Sequence, residues 1–206
     1  MFSEAEKKLA TQLLDHGAVK FGEFKLKLHD KNPNASPSPI YIDLRVLRSY
    51  PEVMDSTVEV YKNLANDIEF DILADIPMAA TPIVAILSHI SRIPMITPRV
   101  DEKEHGIKRR IDGVFKQGQR VLVIDDLITL ADSKLATIKI LEDNGLRVSD
   151  VLVLIDREQG GVEALKKHGI SCHSAFKLRS LLDFYLEERK ISPEQYQKTV
   201  KYLQSS

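Results

Sequence analysis

Val121-Leu122-Val123-Ile124-Asp125-Asp126-Leu127-Ile128-Thr129-Leu130-Ala131-Asp132-Ser133 is the stretch on which the reading of this chain turns. Four uninterrupted apolar residues, entered from Arg120, suit a strand covered on both faces, because a strand with one wet face would alternate. Two carboxylates, Asp125 and Asp126, close the run. A short loop follows, and Ser133 is placed to cap a helix that ends before Gly145. A loop that feeds a helix N-terminus presents unpaired N–H groups to an anion. Adjacent carboxylates beside it suit vicinal hydroxyls or a metal. The unit describes a site for a phosphorylated sugar. An acid pair at a strand end also occurs in phosphoacceptor receivers, and these residues alone leave both readings open.

The pattern on either side repeats the alternation. Ser3 and Glu6 form a capping box, and Leu9, Leu13 and Leu14 give the following helix an apolar face as far as about Asp15, with Gly17 just past its end. Residues 19–28 alternate Phe and Leu with Lys and Glu, as a half-buried strand does, and His29 to Pro39 is rich in Pro, Asn and Ser, as a loop or flap is. Beyond Tyr50-Pro51 come a helix, a strand at Asp71–Asp75, a helix opened by Thr81-Pro82, and strands at Met95–Arg99, Arg120–Asp125, Val151–Asp156 and Ile170–Ala175. Two helices ending near Gln204 complete the chain. Short apolar strands alternating with helices predict an α/β fold with a parallel sheet flanked by helices. In such sheets ligands bind beyond the carboxyl ends of the strands.

The bulk numbers bound the rest. The 206 residues suit one domain with a small appendage. Hydrophobic residues make up 43% of the chain, enough for a sizeable core, and the charged 29% nearly cancel to −1. Without a basic field, neither nucleic acid nor a membrane is an expected partner. Cys172 is the one cysteine, so no internal disulfide forms, and it reads as a strand residue. Met1-Phe2-Ser3-Glu4 lacks the basic start and apolar run of a signal peptide, and the expected location is the cytoplasm.

The segment Ile124 to Ser133 resembles the phosphoribosyl pyrophosphate (PRPP) signature of type I phosphoribosyltransferases. Other stretches resemble the orotate branch of that family. Lys20 to Lys27 and Ser38 to Arg45 are similar to its hood. Ile76-Pro77-Met78-Ala79-Ala80-Thr81-Pro82 stands where the family has its pyrophosphate-side loop. Arg99, Lys103, His105 and Gly106 match the start of a mobile catalytic loop, and Leu154 to Gly161 matches the orotate-side segment. The wording of Asp156 to Gly161 and of His168-Gly169-Ile170 is most similar to the phosphoribosyltransferase half of fused UMP synthases.

The resemblance implies a single type I phosphoribosyltransferase domain over residues 1–206, its hood combining about 1–45 with the C-terminal segment and its core covering about 46–175. It implies Mg²⁺-dependent transfer of ribose 5-phosphate from PRPP to orotate, giving OMP and pyrophosphate, in a homodimer. Asp125 and Asp126 would hold the ribose hydroxyls and place negative charge near an oxocarbenium-like centre. Lys27, Arg99, Lys103 and His105 would neutralise the leaving pyrophosphate, with His105 able to donate a proton. Thr129, Leu130, Ala131, Asp132 and Ser133 would form the 5-phosphate loop, with Thr129 also facing the base. Tyr41 and Ile42 would line the pocket, and the planar fork of Arg157 fits the orotate carboxylate. Mg²⁺ would be carried mainly by PRPP, with Asp125 or Asp126 the side chains within its reach. Read without the resemblance, Arg99 and Lys103 are equally surface partners of Asp101, Glu102 and Glu104, Arg157 pairs with Asp156 or Glu158, and Tyr41 is core or rim.

Three positions depart from the family's pattern. Leu130-Ala131-Asp132 replaces a glycine-containing run, Val100 replaces a lysine, and Leu28-His29 replaces Ser-Gly. If the loop needs a left-handed residue, Ala131 costs about 1–2 kcal/mol there. Two readings follow: an active enzyme with an unusual loop, or a weak or inactive homologue kept for binding or regulation.

Overall fold

The computed structural model describes residues 2–25, 36–99 and 110–204. Lys27, Leu28, His29, Val100, Lys103, His105 and Gly106 lie outside the described residues. The chain divides into two compact units, Met1–Val53 with Leu178–Ser206, and Met54–Lys177.

In the first unit, α1 (Glu4–Asp15) starts with the capping box expected of Ser3 and Glu6 and buries Leu9, Ala10 and Leu13. Gly17 follows at φ +69°, a conformation that glycine adopts without a Cβ penalty. Strands β1 (Val19–Phe24) and β2 (Ser38–Ile42) pair antiparallel, and a 3₁₀ helix covers Leu44–Ser49. Helices α6 (Leu178–Glu187) and α7 (Pro193–Gln204) complete the unit. Its core is apolar, and its buried Tyr185 hydroxyl donates to the Ala10 carbonyl at 2.7 Å.

The second unit is an α/β layer structure. Helix α2 (Pro51–Ala65) leads into β3 (Ile72–Asp75), α3 (Thr81–Ser91), β4 (Met95–Pro98), β5 (Ile111–Asp112) and β6 (Arg120–Ile128). Helix α4 (Asp132–Asp143), β7 (Arg147–Asp156), α5 (Gly161–Lys167) and β8 (Ser171–Lys177) follow. The sheet order is β5-β4-β3-β6-β7-β8. All neighbours are parallel except β5, which pairs antiparallel with β4 at the edge. A two-residue strand carries no periodicity, so its sequence does not reveal β5.

Chain order reverses between β3 and β6, which makes this pair the switch point where ligands bind. β3 and β6 stay in register from Ile72↔Val121 to Asp75↔Ile124. β6 then runs on alone beside β7 to Ile128↔Asp156. The continuous apolar run of the sequence explains the centre, since Val121, Leu122, Val123 and Ile124 are all buried. The strands nevertheless exceed the apolar runs. β6 continues through Asp125 and Asp126 to Ile128, and β7 begins at Arg147, because ladder hydrogen bonds are available to polar residues as well.

Gly161 brings α5 close to the end of β6. A Cβ at Gly161 would lie 2.6 Å from Ile128 Cγ1 and 2.9 Å from the Thr129 carbonyl. A Gly161→Ala variant should lose about 1–3 kcal/mol by overpacking, or about 2–4 °C of Tm per kcal/mol in a chain of this size. Thermal unfolding checks this, and an unchanged Tm would show that α5 shifts without cost.

Candidate active site

The carboxyl ends of β3, β4, β6 and β7 bring together the loops that the sequence singled out. β3 ends on Asp75, and residues 76–80 lead into α3. Asp75 is fully buried, and its carboxylate accepts the hydroxyls of Thr81 and Thr97, tying the start of α3 and β4 to the end of β3. The loop between them carries Met78, 73% exposed. At the end of β4, Arg99 donates from Nε to Asp112 Oδ2. The pairing is thus with Asp112 across the β4–β5 edge.

The end of β6 is the most polar part of the unit. Asp125 is buried, its Oδ1 accepting the Asp126 N–H at 2.8 Å and its Oδ2 lying 2.5 Å from Lys134 Nζ. Lys134, in the first turn of α4, is buried too and donates to the Leu127 carbonyl at 2.6 Å. The Tyr61 hydroxyl reaches from α2 to the Asp125 carbonyl at 2.7 Å. Burial, with the two carboxylates nearby, holds that phenol well above its ordinary range. Asp126 is partly exposed, and its Oδ1 accepts the Leu127 N–H at 2.8 Å. Burial first, then the charge of Asp125, pushes the Asp126 carboxyl up to about 7.

The loop after β6 corrects two expectations. The helix cap is Ala131, not Ser133; α4 begins at Asp132 with no side-chain cap, which leaves the N–H groups of its first turn to a ligand or solvent. Ala131 lies at φ −92°, ψ −2°, an ordinary right-handed conformation, so the left-handed cost does not arise. Its methyl is buried in the core cluster, while Leu130, Asp132 and Ser133 are exposed and Thr129 is half-buried.

β7 ends on Asp156, buried, whose Oδ1 accepts the Glu158 N–H at 2.8 Å. Burial raises its carboxyl above the usual range. The Arg157 amide donates to the Ile128 carbonyl at 2.9 Å, which places the orotate-like segment directly beside the phosphate-like loop. Gly160, at φ +90°, turns the chain into α5. Tyr41 and Ile42 belong to β2 of the first unit, where the Tyr41 ring lies 5.5 Å from that of Phe24. Cys172 is in β8, its thiol pushed up to about 12 by burial, as suits an inert strand residue.

Lys134, Tyr61, Asp75 and Thr97 escaped the reading of the sequence. Lys134 carried a faint signal, a lysine in a helix's first turn, where a cation opposes the helix dipole. Tyr61 carried none, being 64 residues from its partner. Among the described residues no three His, Cys, Asp or Glu side chains converge as a metal centre.

The raised Asp126 carboxyl has a consequence for stability. Its folded pKa lies above the unfolded value, so folding tolerates the acid form and loses stability as pH rises from about 4 through 7. Asp126→Asn should therefore raise Tm by several degrees at pH 8, with the gain closing toward pH 4. Scanning calorimetry across that range tests this; equal gains at both ends would mean the carboxyl titrates normally.

No protein-family model matches the chain. It is 34% identical over 200 residues to uridine 5'-monophosphate synthase of Bos taurus, covering 96% of this chain and 40% of that protein. It is 34% identical over 193 residues to orotate phosphoribosyltransferase of Pyrobaculum aerophilum, covering 93% of this chain and 96% of that one. Among solved structures, UMP synthase of Leishmania donovani superposes with a TM-score of 0.85 at 34% identity, over 98% of this chain and 43% of that one. The chain thus spans less than half of the synthases and nearly all of the Pyrobaculum aerophilum protein. A fold with its switch point at an acidic strand end, and relatives of matching length, lead to one conclusion: the chain belongs to the orotate phosphoribosyltransferase family.

Proposed function

We propose that this protein is an orotate phosphoribosyltransferase, transferring ribose 5-phosphate from PRPP to orotate and releasing OMP and pyrophosphate on the route to UMP. The observation that carries the proposal is the adjacency, at the carboxyl ends of β6 and β7, of the acidic end of β6, the uncapped start of α4 and the Arg157 segment. A phosphorylated sugar needs the first two, and a carboxylated base needs the third.

The phosphate of the sugar sits on the loop from Thr129 to Ser133, against the free N–H groups of α4. Asp126, partly exposed at the end of β6, offers its carboxylate to the sugar and holds negative charge near the anomeric carbon as positive charge develops there. Arg157 binds the orotate carboxylate with its planar fork. Arg99, just after the strand next to β3, is assigned to the pyrophosphate side from the family resemblance, as are Lys27, Lys103 and His105. Tyr41 and Ile42 are assigned to the pocket wall on the same ground. Mg²⁺ would be carried mainly by the phosphates of PRPP, with Asp126 the more exposed carboxylate within its reach, and would supply positive charge to the leaving pyrophosphate. A homodimer and a cytoplasmic location are parts of the same proposal; no helix among the described residues is long and apolar enough to cross a membrane.

Loss of orotate absorbance on mixing with PRPP and Mg²⁺ tests the proposal, with OMP identified as the product. Orotate left unconsumed over hours at micromolar enzyme would overturn it. Arg157→Ala should weaken OMP binding by about 3 kcal/mol, on the order of a hundredfold in Kd, since it removes the charged partner of a carboxylate. Titration calorimetry with OMP reads this directly, and an unchanged Kd would remove Arg157 from the base site.

A further inference from the structure

The two carboxylates at the end of β6 are neighbours in sequence and unlike in surroundings. Asp125 is 5% exposed and has both oxygens engaged, one by the Asp126 amide and one by Lys134. Lys134 is 4% exposed and is held on its other side by the Leu127 carbonyl. Asp126 is the more exposed of the two, and among the described residues no lysine or arginine stands within ion-pair distance of it. We propose that Lys134 divides the pair, withdrawing Asp125 into the fold as a structural anion and leaving Asp126 as the one carboxylate that receives the vicinal hydroxyls of the phosphoribosyl group. This inference rests on the reading of the site as one for PRPP.

Three physical arguments carry it. Turning Asp125 outward to a sugar hydroxyl would orphan an ammonium buried to the same degree, and breaking a buried pair costs more than one hydroxyl hydrogen bond returns. A cation in the first turn of a helix opposes the helix dipole, so the position of Lys134 in α4 is repaid by its partners and not by the helix. The pairing also cancels one of two adjacent negative charges at a site that must admit a phosphate-rich ligand. Lys134 is thereby a positioning residue: it sets which carboxylate is presented, and it touches no substrate itself.

The test compares wild type, Asp126→Asn, Lys134→Met and the double variant Asp125→Asn with Lys134→Met, which removes both buried charges together. PRPP binding with Mg²⁺ is measured by calorimetry without orotate, and kcat and KM by OMP formation. Asp126→Asn should lower kcat at least a hundredfold and weaken PRPP binding at least tenfold. Lys134→Met should weaken PRPP binding at least tenfold, because it strands Asp125. Adding Asp125→Asn should restore KM for PRPP to within about threefold of wild type, with kcat within tenfold. A double variant as impaired as Asp126→Asn, or an Asp126→Asn protein that behaves as wild type, overturns the inference. If the double variant does not fold, carbon-13 NMR of labelled aspartate in the wild type decides it: PRPP should shift the Asp126 carboxyl resonance, and a larger shift at Asp125 overturns the proposal. Wild type that binds PRPP in this pattern but makes no OMP fails the transferase reading and leaves the inference standing. Wild type that does not bind PRPP overturns the inference.

Discussion

β6 outruns its neighbour. Its ladder with β3 ends at Ile124, while its ladder with β7 continues to Ile128. The residues in between carry backbone carbonyls that need partners, since a buried C=O left unpaired is costly. The Asp125 carbonyl is taken by the Tyr61 hydroxyl, that of Leu127 by Lys134, and that of Ile128 by the Arg157 amide. One overhanging strand thus recruits α2, α4 and the loop after β7, and those are the pieces of the candidate site.

The overhang also explains the electrostatics. A strand end buried on several sides has a low effective dielectric, and two acids placed there cannot both ionise cheaply. The protein resolves this unequally. Asp125 has an ammonium 2.5 Å away, and Asp126, which makes no ion pair among the described residues, carries a raised pKa. Such divergence between neighbouring groups is common where a fold holds an ionisable group for chemistry at some cost to its stability.

Loops around the overhang are shaped by close approach more than by flexibility. Gly161 lets α5 start against Ile128, and the β3–α3 loop is pinned by the buried Asp75 carboxylate through Thr81 and Thr97. The absence of a glycine from the loop after β6 proves harmless to the backbone. Ala131 takes a right-handed conformation and turns its methyl into the core.

Sequence alone determined the α/β alternation, the buried central strand and the order of the loops, because apolar period and turn chemistry are local properties of the chain. The matches around Asp125, Thr81 and Arg157 were legible for the same reason: each is a short contiguous motif. Tertiary structure decided what no contiguous motif encodes. It set where α4 begins, since an Ala131 methyl buried in the core outweighs a serine's preference to cap. It added β5, whose two residues are held by pairing with β4 and not by any pattern of their own. Above all it joined Lys134 to Asp125 and Tyr61 to the strand end. A lysine and a tyrosine are ordinary surface or core residues until a strand end and two helices bring them within hydrogen-bond distance of the same few atoms.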